Sequence, residues 1–496
     1  MNSFDLEQHF QKFRNNIVGN DFQFELNGEK KKLVYADWTA SGRLYQPIEN
    51  QISNIIGPYL ANTHTETNLT GSVMTSAYHE AQKIIKKHVG ANENDVIISA
   101  GSGMTGALAK FMRIMGYTIP SKLYNLICIE DIEKPIVFIS HMEHHSNQLG
   151  WEESICDVEI LRPCDDNCID LVYLQELLDK YKNRKSKIAS ITACSNVTGI
   201  QTDYHAVADV MHKNGGLCYV DFACSAPYVQ INMHPENESE KLDAIFFSPH
   251  KFLGGPGTSG VCIFDGKLYD NKVPDIAGGG TVEWTNPWGG HSYFKNIEAR
   301  EDGGTPPFLQ TIKTAYCVQL KEELGYENVK MREEEIVEKV FDYLEKIDNL
   351  YILDDKYRDR LCIISFYIEH LHYNLGVKLL NDKFGIQVRG GCSCAGTYGH
   401  FLMQINENVS CEITTMIDGG DYSKKPGWMR LSIHPTTKDS DIDYILSSIK
   451  ELSEKFSEWK KEYNYDKYTN VFTLKKGEDI EKSIINEWFY SNALHK

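Results

Sequence analysis

The sequence is short of positive charge. Its 51 lysines and arginines stand against 69 aspartates and glutamates, a formal net charge of -18. Nucleic acid and anionic membrane surfaces both demand a basic face, so neither is expected as a partner, although a local basic pocket for a phosphate is compatible with the total. Long apolar runs are missing too, and no stretch reaches the length that spans a bilayer. The opening residues Met1 to Phe10 lack the charged-then-apolar order of a secretion signal. Internal repeats and low-complexity segments are absent. The thirteen cysteines are odd in number and scattered, several of them inside apolar runs (Cys218, Cys262, Cys362), which is not the pattern of a disulfide framework. These absences predict a cytoplasmic protein.

What is present is a chain of 496 residues, 42% hydrophobic and 24% charged, long enough for more than one domain and a large core. Short apolar runs at 96–100, 135–140, 158–161, 188–194, 217–222, 244–247 and 260–264 alternate with helix-period segments such as 205–214, which Gly215-Gly216 closes. Nearly continuous apolar strands alternating with helices predict an α/β domain with a mostly parallel sheet covered on both faces. Ligands then bind at the carboxyl ends of the strands. A helical segment at 311–347 leads to a smaller domain with strands near 361–367 and 387–389 and a last helix near 440–461. The expected division is an N-terminal segment over 1–30, a large cofactor-binding domain over 31–310, a small domain over 311–462 and a tail over 463–496. The tail is polar with aromatics (Tyr465, Tyr468, Phe472, Trp488, Phe489); its fold is not legible, and docking is one use for it.

Lys251 carries the most information. It follows the apolar run 244–247 and Ser248-Pro-His250, and a glycine-rich turn comes after it. A lysine held at a strand end is placed to form a Schiff base with an aldehyde cofactor. Asp221 ends another apolar run thirty residues upstream. A Schiff-base lysine with an acidic partner for a pyridinium nitrogen is the pattern of pyridoxal phosphate enzymes. The strand-to-helix turn Gly101-Ser102-Gly103 brings small residues to a helix N-terminus, where backbone amides and the helix dipole favour a phosphate; alone it reads more readily as an ordinary turn, and Lys251 downstream reverses that preference.

Further motifs sit at predicted strand ends. His141-Met-Glu-His144-His-Ser-Asn147 invites a zinc reading, but its spacing is not that of a zinc helix motif, and a histidine here can instead stack on a pyridine ring and shuttle protons; no metal is expected. Asn196, in Ser195-Asn-Val-Thr-Gly199, offers an amide to a phenolic oxygen or simply makes a turn. Cys392 and Cys394 lie in a glycine-rich loop, where a thiol activated by positive charge acts as a nucleophile; the alternatives are inert loop cysteines or a metal pair lacking further ligands. Arg430 falls within an apolar strand, where it serves either a substrate α-carboxylate or a structural salt bridge.

Together these motifs resemble the class V aminotransferase family of fold type I, and within it the group II cysteine desulfurases and selenocysteine lyases. The resemblance spans roughly 33–455. It rests on Ser248-Pro-His-Lys251, Glu143-His-His-Ser-Asn147, Ser195-Asn-Val-Thr-Gly199 and Val388-Arg-Gly-Gly-Cys-Ser-Cys-Ala395, with Tyr35-Ala-Asp-Trp-Thr-Ala-Ser41 similar to the family's opening strand and turn. It implies a seven-stranded large domain, a smaller α+β domain and pyridoxal 5'-phosphate. By matching position it implies Lys251 as the Schiff-base lysine, Asp221 as the pyridinium partner and His144 as the stacking histidine. Asn196 then lies near the phenolic oxygen and substrate, and Ser102, Gly103, Ser248 and His250 hold the phosphate. Thr305, in Gly303-Gly-Thr-Pro306, matches a threonine that reaches the phosphate of a partner subunit, which implies a homodimer. Cys394 matches the sulfur-accepting cysteine and Arg430 the carboxylate-binding arginine. Three features depart from the pattern: Cys224 stands where a glutamine is usual, the segment 395–429 is longer, and the tail is extra.

The expected activity is removal of sulfur or selenium from cysteine or a related amino acid through a persulfide on Cys394, with Lys251 and His144 also catalytic and a sulfur-acceptor protein as a further partner. The alternatives are an aminotransferase or epimerase of the same family, and a catalytically idle scaffold that binds sulfur-transfer proteins.

Overall fold

The computed structural model describes residues 3–26, 28–63, 65–164, 167–477 and 480–490. Seven strands form the central sheet: β1 (Asp95–Ala100), β2 (Ile136–Ser140), β3 (Asp157–Leu161), β4 (Lys187–Thr192), β5 (Leu217–Asp221), β6 (Ala244–Phe247) and β7 (Gly260–Asp265). Their order is β1-β7-β6-β5-β4-β2-β3, and β7 alone runs against its neighbours β1 and β6.

Alternation along these strands explains why they read as unbroken apolar runs. Ile245 and Phe247 face one core while Ala244 and Phe246 face another; Val220 and Tyr219 divide the same way, as do Ile191 and Ile188. Both faces are buried, so the usual apolar-polar alternation disappears. The seven expected strands are therefore all present, with ends shifted by no more than two residues.

The smaller sheet holds β8 (Leu350–Ile352), β9 (Ile363–Ile368), β10 (Arg389–Gly391) and β11 (Trp428–Ser432), in the order β8-β9-β11-β10. Its core takes Ile336 and Phe341 from helix Tyr326–Leu344, Leu379 from Tyr373–Phe384 and Ile445 and Ile449 from Asp439–Trp459. Val34 and Ala36 belong to this core as well, because Val34–Tyr35 pairs with Ile386–Gln387.

Several segments differ from expectation. The helical stretch over 311–347 is two helices, Phe308–Leu324 and Tyr326–Leu344, parted at Gly325, whose φ of +80° lies outside the helical range. The long 395–429 segment folds into helices Gly396–Leu402 and Glu407–Asp418. The N-terminal helix Ser3–Arg14 sets Phe10 and Phe13 into the large core. Beyond residue 463 the chain forms a hairpin, Tyr463–Asp466 with Val471–Leu474, which buries Tyr463 and Phe472 in the small-domain core; helix Ile480–Tyr490 follows.

Candidate active site

The carboxyl ends of the parallel strands converge on a cavity of about 420 Å³. Ser102, Gly103, His144, Asn196, Asp221, Ser248, His250, Lys251 and Arg430 all line it, although they come from six separate stretches of chain.

The floor is built from β5 and β6. Asp221, the last residue of β5, is buried, and its Oδ1 accepts a hydrogen bond of 2.7 Å from the Ala223 amide. Burial pushes its carboxyl up to about 6, opposed by that amide and by Lys251. Lys251 ends the short turn Pro249–Lys251 after β6. Burial pulls its ammonium below the ordinary lysine value, partly offset by Cys224 and Asp221. Cys224 lines the same wall and donates its thiol proton to the Cys194 carbonyl at 2.9 Å.

At one end, β1 turns through Gly101, with φ of +62°, into helix Met104–Ile114. The Met104 amide donates to Ser248 Oγ at 2.8 Å, joining this turn to the lysine turn. The two segments are held close by β7: a Cβ on Gly260 would sit 2.0 Å from the Gly103 carbonyl oxygen, so only glycine fits there. His250 faces this end, its imidazole pulled down to about 4 by burial and by Lys251.

After β2, the residues of 141–147 diverge. Glu143 is buried and ties strand ends together, accepting from the Thr192 amide at 2.8 Å and from Asn147 Nδ2 at 2.7 Å. Both ring nitrogens of His141 are buried without a hydrogen-bond partner among the described residues. His144 turns to the cavity and caps helix His145–Glu152, its Nδ1 accepting from the Ser146 amide at 3.1 Å. Burial, then Lys251, pull its imidazole down to about 3, so the ring is neutral near pH 7. His145 turns away to the cysteine loop: its amide donates to the Cys394 carbonyl at 2.8 Å, and its Nε2 accepts from the Gly396 amide at 2.9 Å.

Asn196 stands between the domains. Its Nδ2 donates to the Ser393 carbonyl at 2.7 Å, and its Oδ1 is buried without a partner among the described residues. The loop it holds carries Ser393 and Cys394, with φ of +53° and +58°. Ser393 lines the cavity, whereas Cys394 stands just behind, its Sγ 3.8 Å from Arg389 Nη2. Arg430, on β11, is directly opposite Arg389 on β10. It pairs with Asp37 at 2.6 Å, so the salt-bridge reading holds, yet it also faces the cavity. Thr305 is exposed and does not line the cavity of its own chain.

Sequence reasoning passed over Arg389, Ser393, Thr39 and Cys194, all of which line the cavity. Arg389 sat inside a motif prized for its cysteines, and Thr39 beside the Asp37 of the opening turn.

The pattern of the class V aminotransferases matches residues 34–445. The chain is 24% identical over 437 residues to a probable cysteine desulfurase of Staphylococcus aureus, covering 87% of this chain and 94% of that protein. It is 25% identical over 433 residues to a probable cysteine desulfurase of Staphylococcus epidermidis, covering 86% and 94%. In structure it is similar to an apo cysteine desulfurase from Thermococcus onnurineus, with a TM-score of 0.70 at 20% identity, covering 89% of this chain and 98% of that one. An Escherichia coli cysteine desulfurase in its S-sulfonic acid form gives 0.68 at 19% identity, covering 90% and 98%. A seven-stranded sheet is the frame on which Lys251 and Asp221 are set here, and this chain belongs to the class V aminotransferase family, whose members are pyridoxal-phosphate-dependent enzymes of fold type I.

Proposed function

We propose that this chain is a cysteine desulfurase-like lyase that moves sulfur, or selenium, from cysteine or a related amino acid onto Cys394. One observation carries the reading: a single cleft holds Lys251 and Asp221 on its floor and Arg389 on its wall, and that guanidinium lies 3.8 Å from the Cys394 thiol, one residue beyond the lining Ser393. The names of the relatives from the two staphylococci point the same way.

The residues present fit pyridoxal phosphate. Lys251 Nζ would hold its aldehyde carbon, and Asp221, with one oxygen fixed by a backbone amide, its pyridine nitrogen. Ser102, Gly103, Ser248 and His250 would take the phosphate at the helix N-terminus. His144 would lie on the ring and Asn196 would reach the phenolic oxygen with its remaining N–H. The bound cofactor supplies an electron sink for charge developing at the substrate Cα.

The protein's own groups do the rest. Lys251, with its amine favoured by burial, accepts the Cα proton. Arg389 and Arg430 hold the carboxylate and so fix which bond at Cα stands across the ring. Arg389 places positive charge beside the Cys394 sulfur, as a thiolate requires. That thiolate attacks the substrate sulfur: an S–S bond forms, the Cβ–S bond breaks, its electron pair stays with the carbon, and protonation there leaves alanine. Cys394 is left as a persulfide for an acceptor protein. Thr305, exposed and away from its own cavity, is assigned to the phosphate of a second copy, making the enzyme a homodimer. Thiols such as Cys194, Cys218 and Cys262, buried and outside any disulfide, suit the cytoplasm.

A second reading has one observation behind it: Ser393, not Cys394, lines the cavity. In that reading the enzyme is an aminotransferase or epimerase and Cys394 is incidental. Cys394→Ser decides between them. The variant is expected to keep the cofactor absorbance and to lose alanine and sulfide production from cysteine, whereas Lys251→Ala loses both. Wild-type turnover by Cys394→Ser overturns the persulfide step, and a keto acid product without alanine selects the second reading.

A further inference from the structure

Arg430 is not a free anchor. Its Nη2 donates to Asp37 Oδ1 at 2.6 Å and its Nη1 to the Asn196 carbonyl at 3.1 Å. Its Nε is buried with no partner among the described residues. Asp37 is itself fixed. Its carbonyl accepts from Tyr35 Oη and from the Ala40 amide, both at 3.0 Å, and its backbone bridges Ser432 on β11. The Thr39 amide donates to Ser432 Oγ at 3.0 Å. The turn after Tyr35 is therefore laid along β11, with Thr39 and Ala40 on the cavity wall.

Two guanidiniums and one carboxylate leave a single net positive charge at this end of the cleft. One incoming carboxylate neutralises what remains; a second would meet Asp37 instead of a cation.

We propose that Asp37 is a positioning residue that sets the charge and geometry of the substrate-carboxylate site. By occupying Arg430 Nη2 it directs the carboxylate to Arg389 and to what Arg430 still presents to the cavity, so that the cleft takes amino acids with one carboxylate in preference to those with two. This inference rests on the reading of the cleft as an amino-acid site. Removing one partner of a buried ion pair leaves the other uncompensated, so Asp37→Asn tests folding as well as selectivity.

The experiment titrates the cofactor absorbance of the holoenzyme with L-alanine and with L-aspartate, which needs no sulfur chemistry. The wild type is expected to respond to L-alanine at a concentration at least tenfold lower than to L-aspartate. Asp37→Asn is expected to shrink that ratio tenfold or more, and Asp37→Glu to restore it; a merely structural residue would lower both affinities together. An unchanged ratio in folded Asp37→Asn, or a wild type that takes L-aspartate as readily as L-alanine, overturns the proposal. The wild-type titration decides the matter if Asp37→Asn does not fold. Failure to release sulfide from cysteine overturns the proposed reaction but leaves the ratio readable. No response to any amino acid overturns both.

Discussion

Asp221 is expected to weaken the cofactor-free protein that it serves. Its carboxyl titrates at about 6 in the fold against an ordinary 3.8, raised chiefly by burial. At about 1.36 kcal/mol per pH unit, that difference is worth about 3 kcal/mol. Because the folded value is raised, the group's contribution is fully present below the unfolded value and is lost as pH climbs to about 6. Near neutrality the empty site therefore carries an ionised carboxylate at a cost of about 3 kcal/mol. Asp221→Asn keeps an oxygen for the Ala223 amide and never ionises. In urea melts of cofactor-stripped protein, the variant is expected to exceed the wild type by about 3 kcal/mol at pH 8 and by only about 1 kcal/mol at pH 4.5. By the usual entropy of unfolding per residue, the pH 8 gap corresponds to roughly 3 °C in Tm. The same variant should bind pyridoxal phosphate poorly. Equal stability at pH 8, or a gap that does not change with pH, would refute the reasoning.

Two further outcomes test the architecture. Phe472→Ala empties a buried position whose ring stacks on Tyr465 at 4.5 Å, and should cost about 3–5 kcal/mol in urea denaturation; no loss would mean that the hairpin is not part of the core. Gly260→Ala must displace the Gly103 carbonyl, and an absorbance titration should show cofactor affinity falling tenfold or more while far-UV circular dichroism is retained.

The large sheet was legible because its strands are buried on both faces and leave long apolar runs. That Asp221 and Lys251 meet in one cavity was legible for a related reason, since both follow such runs at strand ends. Elsewhere the signal is too short. Tyr463–Asp466 alternates buried and accessible residues over four positions only, which does not distinguish a strand from a polar tail. The break at Gly325 lies inside an otherwise continuous helical period, and one glycine does not announce whether it interrupts a helix. Arg430 showed its burial in the sequence but not its partner, because Asp37 is 393 residues away along the chain. Cys394 was legible as a thiol in a loop, whereas the positive charge beside it depends on how β10 approaches that loop.

The cysteine loop is stitched to the large domain at four points: Ser393 to Asn196, Cys394 and Gly396 to His145, and Thr397 to Gln148. A thiol on such a tether has the reach of its own side chain and little more. On the proposed reading it would take sulfur from a substrate close at hand, and a loop so tied would not serve as a swinging arm. Delivery then becomes a demand on the guest: on that reading, whatever relieves Cys394 has to bring its own acceptor atom to the sulfur where it stands.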